Sequence, residues 1–295
     1  MTVIEMPRPS RVRRIFNNRF ARFFPLFLIT LFAYAGAQIF PIVTMPHVPP
    51  ASREGFAVVT EAVSVVLLLL IYWFFVRAME HRDVTEIAPR KIPWLVPGAL
   101  IGLGLFAATI AILSLMGVAH IGGYTPGQTL LAATNMAVLS AVGEEIVFRG
   151  VVFRITEEAF GTLVALLVSA GFFGLIHMGN HGATVTSGLA IALEAGVLLA
   201  ASYMLVRNLW LPIGLHFGWN FCEGGIFGSA VSGNAFKGLW HTTFTGPDIL
   251  TGGKFGPEAS VVAVAVCAAA ALAMLVVAAR KGQWRPFHVS ITDRG

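Results

Sequence analysis

The chain predicts an all-α fold: a polytopic integral membrane bundle of about eight transmembrane helices with both ends cytoplasmic. Three observations carry this reading. Of 295 residues, 56% are hydrophobic and only 12% charged, whereas soluble domains carry roughly 25% charged residues. The apolar residues gather in stretches near or above the roughly 20 that a spanning helix needs. And 17 of the 20 Lys and Arg residues fall on alternate connections, the bias expected of cytoplasmic flanks.

The first span covers residues 23–43, after a basic arm, 1–22, that holds Arg8, Arg11, Arg13, Arg14, Arg19 and Arg22. Its apolar run, FFPLFLITLFAYAGAQIFPIV, is longer than the 7–15 residue core of a cleaved signal, so it reads as a spanning helix. The second covers 56–76 and is followed by Arg77, Arg82, Arg90 and Lys91. The third covers 94–116. The fourth begins near Leu130 and ends before Thr156, with Arg149 and Arg154 near its end. The fifth covers 161–178 and the sixth 185–206. Arg207 joins the sixth to a seventh that runs from about Leu209 to near Ser229. The eighth covers 259–279, and the tail, 280–295, holds Arg280, Lys281, Arg285 and Arg294. The other side keeps only Arg53, Lys237 and Lys254.

This layout makes residues 23–279 one membrane domain, because the polar ends are too short to bury a core of their own. The net charge of +5 follows from positive-inside topology and needs no nucleic-acid partner. Cys222 and Cys267 stand alone in apolar surroundings and read as buried thiols, not as a disulfide framework. Gly98 with Gly102, and Gly214 with Gly218, have the spacing that lets helices approach closely in lipid. The loop 229–258 reads as non-cytoplasmic and either flexible or partly re-entrant, with Trp240 and His241 at the membrane interface.

Ionisable groups in spans are costly and mark functional sites. Three polar islands stand out: Glu144, Glu145 and Arg149 in span four, His177 in span five, and His216 with Asn220 in span seven. Adjacent helical residues point about 100° apart, so Glu144 and Glu145 cannot share a face. Glu145 and Arg149, four apart, can pair. That leaves Glu144 free as a general base, and His216 and Asn220, again four apart, as donors to a developing oxyanion. A structural ion network on span four is the plainer alternative. Glu194 and Glu61 have no companion at a mechanistic spacing and stay outside this centre. One tension accompanies the layout. The boundaries put Glu144 about ten residues and His177 about sixteen from the cytoplasmic side, a depth difference of roughly 9 Å at 1.5 Å per residue.

Together these residues resemble the CAAX protease and bacteriocin-processing (CPBP, or ABI) family of intramembrane proteases. Its glutamate pair followed by arginine is matched by Glu144, Glu145 and Arg149. Its phenylalanine with histidine four residues on is matched by Phe173 and His177. Its histidine with asparagine four residues on is matched by His216 and Asn220. The resemblance covers about residues 90–230. It implies an endopeptidase, similar to CAAX prenyl protease 2, acting on a membrane-associated or lipidated protein or peptide in the bilayer, the cytoplasmic membrane if the source is bacterial. It implies that Glu144 and His177 activate water, that His216 and Asn220 form the oxyanion hole, and that Glu145, Arg149 and Phe173 support them. No cofactor is required in this version. The alternative is a metalloprotease with zinc held by His177, His216 and Glu144; the HExxH helix of many zinc proteases is absent. Other classes remain open: an ion-coupled transporter using buried Glu and His, weakened by the lack of internal repeats, and a non-proteolytic scaffold.

Overall fold

The structure, a computed structural model, describes residues 18–125 and 130–291. Arg8, Arg11, Arg13, Arg14 and Arg294 lie outside the described residues. Helix α1 (Arg19–Thr44) begins at an Asn18 cap. Helix α2 (Arg53–Glu80) and α3 (Leu95–Leu115) follow. A short strand β1 (Ala119–Gly122) precedes α4, residues 131–160, which is α-helical over Leu131–Glu145, π-helical over Ile146–Phe153 and α-helical again over Arg154–Phe160. Helix α5 is Thr162–His177. Helix α6, residues 185–206, carries a π segment at Ala192–Gly196. Helix α7 runs from Trp210 to Asn220 and continues as a π segment, Phe221–Ile226. Strand β2 (His241–Phe244), the short helix α8 (Asp248–Thr251) and α9 (Val261–Arg280) complete the described chain.

The chain is an integral multi-pass membrane protein. Among the described residues, five helical stretches are long and apolar enough to cross a membrane: Arg19–His47, Pro50–Glu80, Pro89–Leu115, Val185–Val206 and Val261–Arg280. α5 is apolar but short and ends at the polar island His177, and α4 and α7 carry the other two. The loop expected to be flexible or re-entrant is folded: β2 pairs antiparallel with β1, Ala119 opposite Phe244 and Gly122 opposite His241. This small ladder is the one departure from an all-α fold among the described residues.

The two GxxxG pairs face each other. α3 packs along α7 so closely that a side chain at Gly98 or Gly102 would strike the carbonyl oxygens of Leu211 or Leu215. One at Gly214 or Gly218 would strike those of Leu95 or Ala99. This backbone-to-backbone approach fixes the helix that carries His216.

The fourth span is longer than its sequence suggests. It continues to Phe160 and turns at Gly161, whose φ of +86° suits glycine. The charges around this end are paired. Arg154 bonds Glu80 at 2.6 Å, Arg22 bonds Glu158 at 2.5 Å, and Arg207 bonds Glu157. Glu144 therefore lies 16 residues before Phe160, and His177 lies 15 after Thr162. At 1.5 Å per residue both sit about 22–24 Å from the Gly161 turn, so the predicted depth gap disappears.

Candidate active site

The three polar islands converge on one cavity of about 580 Å³, lined by Glu144, His177, His216 and Asn220 among others. His177 closes α5, and its Nδ1 lies 2.7 Å from the Phe173 carbonyl oxygen. A carbonyl only accepts, so Nδ1 carries the hydrogen and a neutral ring turns a bare Nε2 to the cavity. That Nε2 stands 3.8 Å from Glu144 Oε2, an oxygen with no hydrogen-bond partner in the protein. The other oxygen, Oε1, accepts a 2.9 Å bond from the Tyr34 hydroxyl, which in turn accepts from Gln38 Nε2 at 2.8 Å.

Glu145 points away from Glu144, as the helix geometry requires. It is fully buried and bonds Arg149 at 2.9 Å. The same Oε1 lies 3.1 Å from His216 Nδ1. The Arg149 guanidinium sits 4.6 Å above the Phe173 ring and donates to the Ala195 and Gly196 carbonyls of α6. Those carbonyls lie on the π segment of α6, where the helical register shifts and main-chain acceptors can turn outward; π segments recur at functional sites. One Arg149 side chain thus ties α4 to α5 and α6 and holds the carboxylate that orients His216.

The contact between Glu145 and His216 constrains the ring: an ionised carboxylate accepts only, so Nδ1 carries the hydrogen. Nε2 then donates only when the ring is doubly protonated. Asn220 offers Nδ2, which already donates to Ser140 Oγ at 3.1 Å and keeps a second hydrogen.

Tyr34, Gln38 and Ser140 are site neighbours that the sequence reading lacks. Glu194 is closer to the site than expected. It lines a second, small cavity of about 20 Å³, room for a single water, together with His177, His216, Asn220 and Glu258. Burial pushes the Glu258 carboxyl above its usual range. Glu61 borders a groove among α1, α2 and α4 that meets the larger cavity at Gln38 and Met136.

A metal finds no ready home. Among the described residues, no group of three or more His, Cys, Asp and Glu side chains is arranged to hold an ion. Of the zinc alternative's three residues, His216 turns Nδ1 to Glu145 and His177 turns Nδ1 to a carbonyl, which leaves each Nε2 free, as in metal-bound histidines too. The metalloprotease reading gains no support from this geometry.

Residues 125–222 match the family model described as type II CAAX prenyl endopeptidase Rce1-like. The matched stretch contains Glu144, Glu145, Arg149, Phe173, His177, His216 and Asn220. Over these 98 of the chain's 295 residues the protein resembles Rce1-like endopeptidases of the CAAX protease family, a likeness that indicates a protease. Neither the curated proteins nor the solved structures gave a match.

Proposed function

We propose that the protein is a metal-free intramembrane endopeptidase that hydrolyses a peptide bond of a membrane-associated or lipidated chain, in an eight-span bundle with cytoplasmic ends. The carrying observation is the facing pair Glu144 Oε2 and His177 Nε2, 3.8 Å apart. Both atoms accept, and a gap of that length suits a bridging water. A water donating one hydrogen to each turns its lone pair toward a substrate carbonyl in the cavity. Glu144 takes the proton as oxygen bonds to the carbonyl carbon. The negative charge that forms on the carbonyl oxygen is met by His216 Nε2–H and Asn220 Nδ2–H. Collapse breaks the C–N bond, and Glu144 returns its proton to the leaving amine. The Nδ1–H of His216 donates to Glu145, which also accepts from Arg149, so the two together hold the ring in place.

The experiment uses purified protein in liposomes with S-farnesylated and unmodified single-span peptides. Cleavage by the parent is expected, and its loss in Glu144→Ala and His216→Ala. Cleavage that persists in both variants overturns the residue assignment. Activity that survives chelation at negligible bound metal supports the metal-free version, and loss restored by zinc overturns it. Transport without cleavage would favour the transporter reading, and binding without cleavage the scaffold.

A further inference from the structure

The two ends of the bundle differ in charge and in access. At one end Arg22, Arg154 and Arg207 are locked to Glu158, Glu80 and Glu157. The chain after α9 closes over this end: the Pro286 carbonyl packs on Gly161, and the Ile291 carbonyl accepts from the Arg19 backbone. Arg77, Arg90, Lys91, Arg280 and Lys281 ring the same end. At the opposite end the described residues hold only Arg53, Lys237 and Lys254.

The catalytic cavity is built toward the second end. Its walls come from the later half of α1 (Tyr34, Gln38), the first half of α4 (Ser140) and the last residue of α5, His177. Asn180 and the loop residues Ser232 and Asn234, beyond the helix ends, complete the wall. No wall residue comes from the sealed, basic end. Basic residues concentrate on cytoplasmic flanks of spanning helices.

We infer that the active-site cavity opens on the non-cytoplasmic face, so that its substrates are membrane-anchored chains whose scissile bond is presented from that side. The inference rests on the protease reading for the word substrate, but the orientation stands on charge and geometry alone.

Cysteine labelling tests it without needing activity. The native Cys222 and Cys267 are 2% and 0% exposed and give little background. Ala235→Cys lies at an exposed position of the cavity wall, Lys254→Cys at an exposed position of the non-basic end outside that wall, and Lys281→Cys at the basic end. In intact cells a membrane-impermeant maleimide should label the first two at least about tenfold above the parent, and Lys281→Cys only after permeabilisation. The reverse pattern overturns the inference. A fluorogenic S-farnesylated peptide is then added outside sealed proteoliposomes whose orientation the same labels read. Hydrolysis should follow the fraction with Ala235→Cys outward. Hydrolysis that follows the Lys281→Cys fraction overturns the inference. No hydrolysis in either orientation, with labelling as expected, overturns the protease reading while the orientation is upheld.

Discussion

The Tyr34 hydroxyl donates a 2.9 Å hydrogen bond to Glu144 Oε1 and leaves Oε2 turned to His177. The ring also packs on Gly143, where any side chain would collide with it. Tyr34 thus sets the rotation of the carboxylate, and it does so from a helix outside the residues matched to the family. A hydrogen bond to a charged group is worth about 1.5–3 kcal/mol. Tyr34→Phe should lower kcat by about ten- to hundredfold with KM nearly unchanged and thermal unfolding little altered. Gly143→Ala should lower kcat by displacing the ring. Steady-state kinetics with a cleavable peptide, alongside unfolding curves, check both.

The Glu145–Arg149 pair is fully buried. Removing one member strands the other's charge, a loss of about 3–5 kcal/mol in buried pairs. Arg149→Met should therefore destabilise strongly and also release His216. The double variant Glu145→Gln, Arg149→Met should recover much of the stability, since no lone charge remains, but not the activity. Thermal unfolding and peptide cleavage on the same samples separate the two roles.

Much of this site was legible because lipid makes polarity conspicuous. Glu144, Glu145, Arg149, His177, His216 and Asn220 announce themselves in apolar runs, and the structure brings all six together. Tyr34 and Gln38 do not, because Tyr is common at membrane interfaces and a lone Gln near a helix end carries no spacing signal. The end of span four was misjudged for an electrostatic reason. The span was ended before Thr156, where Glu157 and Glu158 follow, yet Arg154, Glu157 and Glu158 are each paired with a residue of another segment and the chain stays helical to Phe160. Glu194 was set aside because no companion stands near it in sequence at a mechanistic spacing; the groups that share its small cavity, His177, His216, Asn220 and Glu258, come from other elements.

Acid sensitivity should trace to the sealed end. Glu86 lies in the turn Thr85–Ile87, outside the spans. Burial would raise its carboxyl, but the hydrogen bond from Arg82, the Arg154 and Arg82 charges and the Tyr72 hydroxyl outweigh this and hold it below the usual range. A carboxyl depressed on folding adds stability above its unfolded pKa of about 4.3. That stability is lost as pH falls through the lower folded value. Glu86→Gln should be less stable at neutral pH, and its Tm should fall less than the parent's on acidification below about pH 5. Parallel melting curves across pH that fail to converge would remove Glu86 from this account.

The α3–α7 contact should behave as a positioning device for His216. Gly214 lies two residues before it, and a side chain there meets the Leu95 carbonyl. Overpacking of this kind costs about 1–3 kcal/mol or more. Gly214→Val should lower the unfolding temperature and depress cleavage beyond what the stability loss explains. Gly104→Val, on the same α3 but with open space around it, should do neither.

In the proposed mechanism Asn220 separates transition-state binding from substrate binding. Its Nδ2 bonds Ser140 Oγ at 3.1 Å, which orients the amide and leaves the second hydrogen for the cavity. An oxyanion exists only after attack, so losing its donor should lower kcat and spare KM. A single oxyanion donor is worth about 10²–10³ in kcat. Asn220→Ala should show a loss of that size. Ser140→Ala frees the amide without deleting it and should cost less, about fivefold if the lost bond is worth near 1 kcal/mol. The double variant should be no worse than Asn220→Ala alone, because Ser140 acts through the amide. If the two losses multiply instead, Ser140 has a role of its own and the assigned relay between them is wrong.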